Sequence, residues 1–257
     1  MSDQKKEVGL FSEALQLVIT DQGQGRPFLI LHGGAGPASV SGLADALSKN
    51  GRAIVPTYPG FNNEPRPDWF ARIDDLALAF LALIEKFNLA NVVVIGNSVG
   101  GWVAAEMALR HSPRIAAIIL LNAAGIDTGS PDKKMVDPMV VPPAERLALS
   151  FHNPQRFAVI PSGPQLAVMA QNQRTLRVYG GETLHDPALR SRLAHITIPA
   201  LVAWGESDRV VDVDYGRLFA SSIPGARFEL IREAGHFPQI EQLDEVLHLL
   251  GDFTKSF

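Results

Sequence analysis

A chain of 257 residues with 46% hydrophobic and 19% charged residues is composed like a globular protein. It is long enough to bury a core as one α/β domain or as one domain with an insertion. Its formal net charge of -4 argues against a nucleic-acid or anionic-membrane partner and leaves a small-molecule partner as the expectation. The absence of cysteine excludes disulfides, thiolate metal sites and cysteine nucleophiles, and it fits a reducing cytoplasm. The first residues, Met1 to Glu7, lack the apolar core of a signal peptide, and nowhere do about 18 apolar residues run together as a membrane span needs.

In chain order, two β-like runs at 8–11 and 15–20 precede the Gly-rich turn at 21–25 and predict a hairpin at a sheet edge. Phe28-Leu29-Ile30-Leu31 is apolar throughout, as a strand covered on both faces must be, and it ends in His32-Gly33-Gly34-Ala35-Gly36-Pro37. A helix over 40–50 leads to a strand at 53–57 and the loop 58–63. Between Phe70 and Phe87 the apolar residues recur in steps of three and four, which predicts one helix with one buried face. Val92-Val93-Val94-Ile95 then stops at Gly96, turns sharply and continues as a helix from near Val99 to about His111, followed by a buried strand at 115–121. Alternating strands and helices of this kind predict a mostly parallel, doubly wound sheet of about eight strands.

From 126 to 195 the alternation fails. Prolines at 131, 138, 142, 143, 154, 161 and 164 cut this stretch into short helices, such as 144–151, and a longer one near 165–179. An insertion of that length reads as a small helical cap on a core made of 1–125 and 196–257, because Leu147, Phe151, Phe157, Leu166, Val168 and Met169 need somewhere to pack. The alternation resumes with a strand at 200–204, a helix at 213–221, a strand at 227–231 and a final amphipathic helix over 240–253.

The chemistry gathers at turns that follow strands. In Gly96-Asn97-Ser98-Val99-Gly100-Gly101 the hydroxyl of Ser98 is held above the strand end at a helix N-terminus, where developing negative charge is favoured. A serine hydroxyl needs a base, and the base works best when a carboxylate holds its tautomer. Asp208, in Trp204-Gly205-Glu206-Ser207-Asp208, and His236, in Ala234-Gly235-His236-Phe237, follow the next two strands and reach the same carboxyl edge. Glu206, Asp212 and Asp214 compete with Asp208. His111, His152, His185, His195 and His248 compete with His236, which alone sits in a Gly-bounded turn after a strand. Donors for an oxyanion are expected from the N–H of Val99 and that of Gly34 or Ala35, with His32 holding the loop. Trp102, Phe237 and, from the cap, Phe151, Phe157 and Met169 are candidates for an apolar pocket wall.

Together, His32-Gly33-Gly34, Gly96-Asn97-Ser98-Val99-Gly100-Gly101, Gly205-Glu206-Ser207-Asp208 and Gly235-His236 resemble the α/β-hydrolase superfamily from residue 28 to 253, including the order Ser, Asp, His. Serine at the elbow sets the chain apart from the dehalogenase and epoxide-hydrolase branches. It is similar to the branch of meta-cleavage product (carbon–carbon) hydrolases and related carboxylesterases, in which Asn97 would shape the pocket behind the nucleophile. The resemblance implies a serine hydrolase, a carboxylesterase first, working through an acyl-enzyme without cofactor or metal, as a monomer or homodimer. Carbon–carbon bond hydrolysis of a dienoate acid is the second reading. Phe237 stands where those hydrolases have Trp, and Arg174 or Arg177 would have to replace their cap arginine. Cofactor-free haloperoxidase chemistry and a ligand receptor on a hydrolase scaffold are further readings. No G-x-G-x-x-G follows a strand, so no dinucleotide is expected.

Overall fold

A computed structural model describes residues 5–130, 135–136, 141–159 and 163–255. Pro131, Pro138 and Pro161 of the proline-rich stretch, and residues 1–4 of the polar start, lie outside the described residues.

The strands are β1 (Lys5–Leu10), β2 (Leu15–Gly23), β3 (Pro27–Leu31), β4 (Arg52–Thr57), β5 (Val92–Asn97), β6 (Ile115–Leu121), β7 (Gly125–Ile126), β8 (His185–Asp186), β9 (Ala200–Gly205) and β10 (Arg227–Ile231). The helices are α1 (Ser41–Leu47), α2 (Ile73–Lys86), α3 (Val99–Ala108), α4 (Pro143–Ser150), α5 (Pro154–Phe157), α6 (Pro164–Gly180), α7 (Leu189–Arg192), α8 (Val213–Ser221), α9 (Pro238–Glu241) and α10 (Leu243–Thr254). Eight strands form one sheet in the order β1-β2-β4-β3-β5-β6-β9-β10. From β4 to β10 every pairing is parallel, and the β1-β2 hairpin joins its edge antiparallel. The predicted mostly parallel, doubly wound sheet of about eight strands is therefore observed.

Strand alternation divides the core in two. Val92, Val94, Ile118 and Leu120 face the layer of α2, α3 and α8, whereas Val93, Ile95, Ala117, Ile119 and Leu121 face that of α1 and α10. Central strands with apolar side chains on both faces need helices on both sides, so the apolar runs in the sequence and the two helical layers share one cause. Register aligns the strand ends: Gly96 lies between Leu31 and Leu120, and Gly205 beside Ile231. That row of ends is the carboxyl edge to which the functional turns belong.

Several boundaries move, for local reasons. The helix predicted from Phe70 starts at Ile73, because the Asp75 carboxylate accepts from the N–H groups of Ala71 and Arg72 at 2.8 and 2.9 Å and closes the first turn there. The predicted helix over 40–50 is a 3-10 turn at Pro37–Val40 followed by the shorter α1. The final helix is broken at Gln242 (φ -133°, ψ 52°) into α9 and α10. In the proline-rich stretch Pro143, Pro154 and Pro164 open α4, α5 and α6 at the position where a missing N–H costs nothing. The two-residue strands β7 and β8 pair with each other and bring the ends of the stretch between them together, which its composition did not reveal. Behind the β5–α3 turn, buried Glu106 on α3 accepts from Arg110 at 3.0 Å and from Arg192 at 2.6 Å, tying α3 to the returning chain.

Candidate active site

The turn between β5 and α3 is built by glycine. A Cβ on Gly96 would fall well inside contact distance of the Gly100 carbonyl, and one on Gly100 would strike the carbonyl of Leu31 on the neighbouring strand. Only this absence of side chains lets the chain reverse so tightly. Ser98 at its apex holds φ 56°, ψ -123°, an uncommon conformation for a residue with a side chain. Its side chain stands over the His32–Gly34 loop, so close that a Cβ on Gly33 would lie 2.7 Å from Ser98 Cβ.

The predicted acid and base meet. His236 Nδ1 lies 2.8 Å from Asp208 Oδ2, and both side chains are buried. Asp208 accepts three further hydrogen bonds: from Asn122 Nδ2 at 2.7 Å on the same oxygen, and from the N–H groups of Val210 and Val211 at 2.8 and 3.1 Å on the other. Four donors on one carboxylate match its acceptor capacity and fix its plane. Asn97 then ties this pair to the serine turn, its Nδ2 donating to the carbonyls of Leu121 at 3.1 Å and His236 at 3.0 Å. The competitors make other contacts, His152 turning its Nδ1 to Ser207 Oγ at 2.8 Å. Asp212 caps α8 by accepting from Tyr215 N–H at 2.8 Å, Glu206 is exposed, and His111, His152, His195 and His248 are on the surface.

The His32–Gly36 loop is closed by a Gly36 N–H to Gly33 carbonyl bond of 3.1 Å, with Gly34 and Ala35 at its tip. The N–H groups of Gly34, Ala35 and Val99 donate to no acceptor among the described residues. Gly34 is half-buried and Ala35 exposed, which favours Gly34 as the inward donor. His32 is fully buried beneath the loop and stacks on Tyr58 at 3.8 Å. Its Nδ1 is 2.8 Å from the Gly33 carbonyl and its Nε2 accepts from Tyr58 N–H at 3.3 Å, so the proton sits on Nδ1. Burial lowers its pKa from the ordinary 6.5 to about 4, against the smaller opposing pull of the Gly33 carbonyl. The unfolded chain thus takes up a proton near pH 6.5 that the folded chain refuses until about pH 4. Stability from this residue is complete above pH 6.5 and is lost as pH falls towards 4, about 3 kcal/mol in all. Thermal unfolding of wild type and His32→Gln between pH 7.5 and 4.5 checks this: Tm is expected to fall less steeply in the variant, and parallel curves would refute it.

Three contributions were not anticipated. Asn122, in the left-handed region (φ 47°) directly after β6, bonds Asp208 with its nitrogen and accepts from Gly205 N–H at 3.2 Å with its oxygen. A polar residue ending a fully apolar strand at this edge was the available signal. Glu241 is buried and accepts from Gly235 N–H at 2.6 Å, His152 N–H at 3.1 Å and Asn153 N–H at 2.9 Å. Beside it His236 N–H donates to the Ser150 carbonyl at 2.7 Å, and Arg209 N–H to that of Leu149 at 3.1 Å. The end of α4 is thereby stitched to both turns.

α6 covers the other side. Asn172 Oδ1 accepts from Asn62 N–H at 2.8 Å, Thr175 donates to the Gly60 carbonyl at 2.9 Å and Tyr179 to that of Pro59 at 2.8 Å. Leu176 backs Gly34, where a Cβ would lie 2.8 Å from its Cδ2. Of the anticipated wall, Phe237 packs at 5.3 Å from the Phe151 ring and 5.2 Å from that of His236, whereas Trp102 lies buried against Gly125 and Gly180. Phe157 is half-buried under Arg156, and Met169 is exposed. Arg174 bonds Gln171 at 2.8 Å and Arg177 pairs with Glu182.

Ser98, Asp208 and His236 thus lie on three turns at one edge of a mostly parallel sheet wound on both faces. The model of the alpha/beta hydrolase family matches residues 28–249; the chain belongs to that family and is a hydrolase. It is similar to a 2-hydroxy-6-oxononadienedioate/2-hydroxy-6-oxononatrienedioate hydrolase of Pseudomonas putida, 26% identical over 94% of this chain and 92% of that protein. Similarity to Lipase 3 of Moraxella sp. (strain TA144) is 27% identity over 88% of this chain and 76% of that one. Among solved structures, a meta-cleavage product hydrolase (CumD) from Pseudomonas fluorescens IP01 shares the fold with TM-score 0.79 at 21% identity, covering 98% of this chain and 97% of that one. Among the described residues no helix is long and apolar enough to cross a membrane.

Proposed function

We propose that this hydrolase is a serine esterase acting on a small carboxylic ester. Ser98 attacks the carbonyl carbon, His236 takes the hydroxyl proton and returns it to the leaving alcohol, and Asp208 holds His236 in the tautomer that can do so. The oxyanion is received by the N–H groups of Val99 and Gly34. A water then repeats the sequence on the acyl-enzyme and regenerates Ser98. The observation that carries this reading is the buried 2.8 Å contact between His236 and Asp208, linked through Asn97 to the turn that presents Ser98. Residues 126–195 serve as the helical cap that shields the site, over a core of 1–125 and 196–257. The reading needs neither metal nor organic cofactor, and it takes the enzyme as cytoplasmic.

Carbon–carbon bond hydrolysis, named for the Pseudomonas relatives, is the second reading and uses the same three residues. It calls for a cation facing the substrate carboxylate. The bonding of Arg174 to Gln171 and of Arg177 to Glu182 favours the ester.

The test is a burst experiment with p-nitrophenyl acetate and butyrate on wild type and Ser98→Ala, with the acyl adduct sought by mass and Ser98 titrated with a fluorophosphonate. A burst, adduct and label that all vanish in the variant support the reading. Equal silence of both proteins, together with no label, overturns it, and a Tm raised by a ligand without turnover would then point to a receptor.

A further inference from the structure

Outside the groups already given roles, the side chain that stands out on the α6 wall is Gln173. Leu176 and Gly180 lie three and seven residues further on, on the same stripe of the helix. Leu176 backs Gly34, and Gly180 meets Leu184 and Trp102. Gln173 faces the same way: a Cβ on Gly34 would lie 3.8 Å from its Nε2. Its neighbours all find partners, Gln171 with Thr175 at 3.4 Å, Asn172 with Asn62 at 2.8 Å, Arg174 with Gln171 at 2.8 Å and Thr175 with Gly60 at 2.9 Å. Gln173 Oε1 is buried and has none among the described residues. A buried acceptor left unpaired is costly and calls for a partner that relieves it.

Resting on the reading that Ser98 attacks a carbonyl held by Gly34, we propose that Gln173 is a specificity-determining residue that receives a hydrogen-bond donor carried beside the scissile carbonyl. The substrate class is an ester whose acyl group bears a hydroxyl or an amide N–H on the carbon next to the carbonyl. Gly34 holds the carbonyl oxygen while the carboxamide of Gln173, whose nitrogen is the atom nearest Gly34, takes the neighbouring O–H or N–H on its oxygen. An acyl group with hydrogen alone at that carbon leaves Oε1 unpaired, and one with a carboxylate there sets negative charge against it. Sites that hydrogen-bond a substrate group discriminate far more strongly against the analogue lacking it than apolar pockets discriminate by a methylene.

The experiment compares kcat/KM for p-nitrophenyl butyrate, 2-hydroxybutyrate and 2-acetamidobutyrate, each divided by its rate with hydroxide to remove intrinsic reactivity. The proteins are wild type, Gln173→Leu, which fills the space without an acceptor, and Gln173→Glu, which keeps one. Wild type is expected to favour the two donor-bearing esters by about tenfold or more. Gln173→Leu should lose that preference and Gln173→Glu should keep it, the readout being the ratio of donor-bearing to plain ester within each protein, so that a change in overall rate cancels. No preference in wild type, or an undiminished preference in Gln173→Leu, overturns the proposal. Fluorophosphonate labelling separates the two readings: if Ser98 is labelled and plain butyrate is hydrolysed without any donor preference, the esterase stands and the role of Gln173 falls. If Ser98 is never labelled, the esterase itself has fallen.

Discussion

Asp208→Asn is expected to lower kcat on p-nitrophenyl butyrate by about 10³- to 10⁴-fold with little change in KM. The reason lies in the count of donors. His236 Nδ1 and Asn122 Nδ2 meet on one oxygen of Asp208, and the N–H groups of Val210 and Val211 on the other. A carboxylate accepts all four, whereas an amide replaces one acceptor by a donor and must turn it on one of these pairs. Turned towards His236, it accepts no proton from Nδ1, so the ring keeps its proton on Nε2 and has no lone pair for Ser98. Turned towards Val210 and Val211, it sets N–H against N–H and loosens the turn. Steady-state kinetics and the rate of fluorophosphonate labelling measure the result, and a loss smaller than tenfold in both would remove Asp208 from the chemistry.

Gly96→Ala should have the largest effect on stability, at least about 3 kcal/mol, seen as a fall in Tm of about 10 °C or as failure to accumulate folded protein. The added methyl would enter the backbone of Gly100, itself pressed on the Leu31 carbonyl, so neither neighbour can retreat without opening the turn. Gly42→Ala is the control. It is exposed near the start of α1 with nothing within 4 Å of its Cβ position, and it should gain up to about 1 kcal/mol by restricting the unfolded chain. Calorimetry on both variants decides the matter: equal and small shifts would mean that the turn yields more easily than its contacts imply.

These effects concentrate where the sequence was easiest to read, and for a physical reason. A strand buried on both faces must be apolar from end to end, so its end is marked, and a chain reversing against a neighbouring backbone can use only glycine. Both conditions hold at Gly96 and Gly205, which made the turns of Ser98 and Asp208 legible, whereas His236 follows a half-exposed edge strand and was marked by its glycine alone. What escaped depends on contacts between distant segments. Gln242 interrupts a helical pattern whose apolar spacing continues unbroken through Leu243 and Val246. Glu241 is an unremarkable acidic residue until Gly235, His152 and Asn153 surround it. Asn122 gains its meaning only when β9 brings Asp208 alongside β6. Prolines that looked like breaks begin helices, because whether a proline ends one helix or starts another depends on the chain after it.

The stitching of Leu149 to Asn153 onto the turns of Asp208 and His236 also bears on how such enzymes exchange parts. Divergence or engineering that swaps the proposed cap wholesale at its ends, near 126 and 195, removes the Ser150 carbonyl that receives His236 N–H and the N–H groups of His152 and Asn153 that share Glu241. A chimera would inherit a foreign segment and a loosened His236 turn together. Crossing over just after Asn153 instead leaves that seam native and replaces α6, so that on the proposed roles selectivity is exchanged between homologues while the turns of Asp208 and His236 keep their original setting.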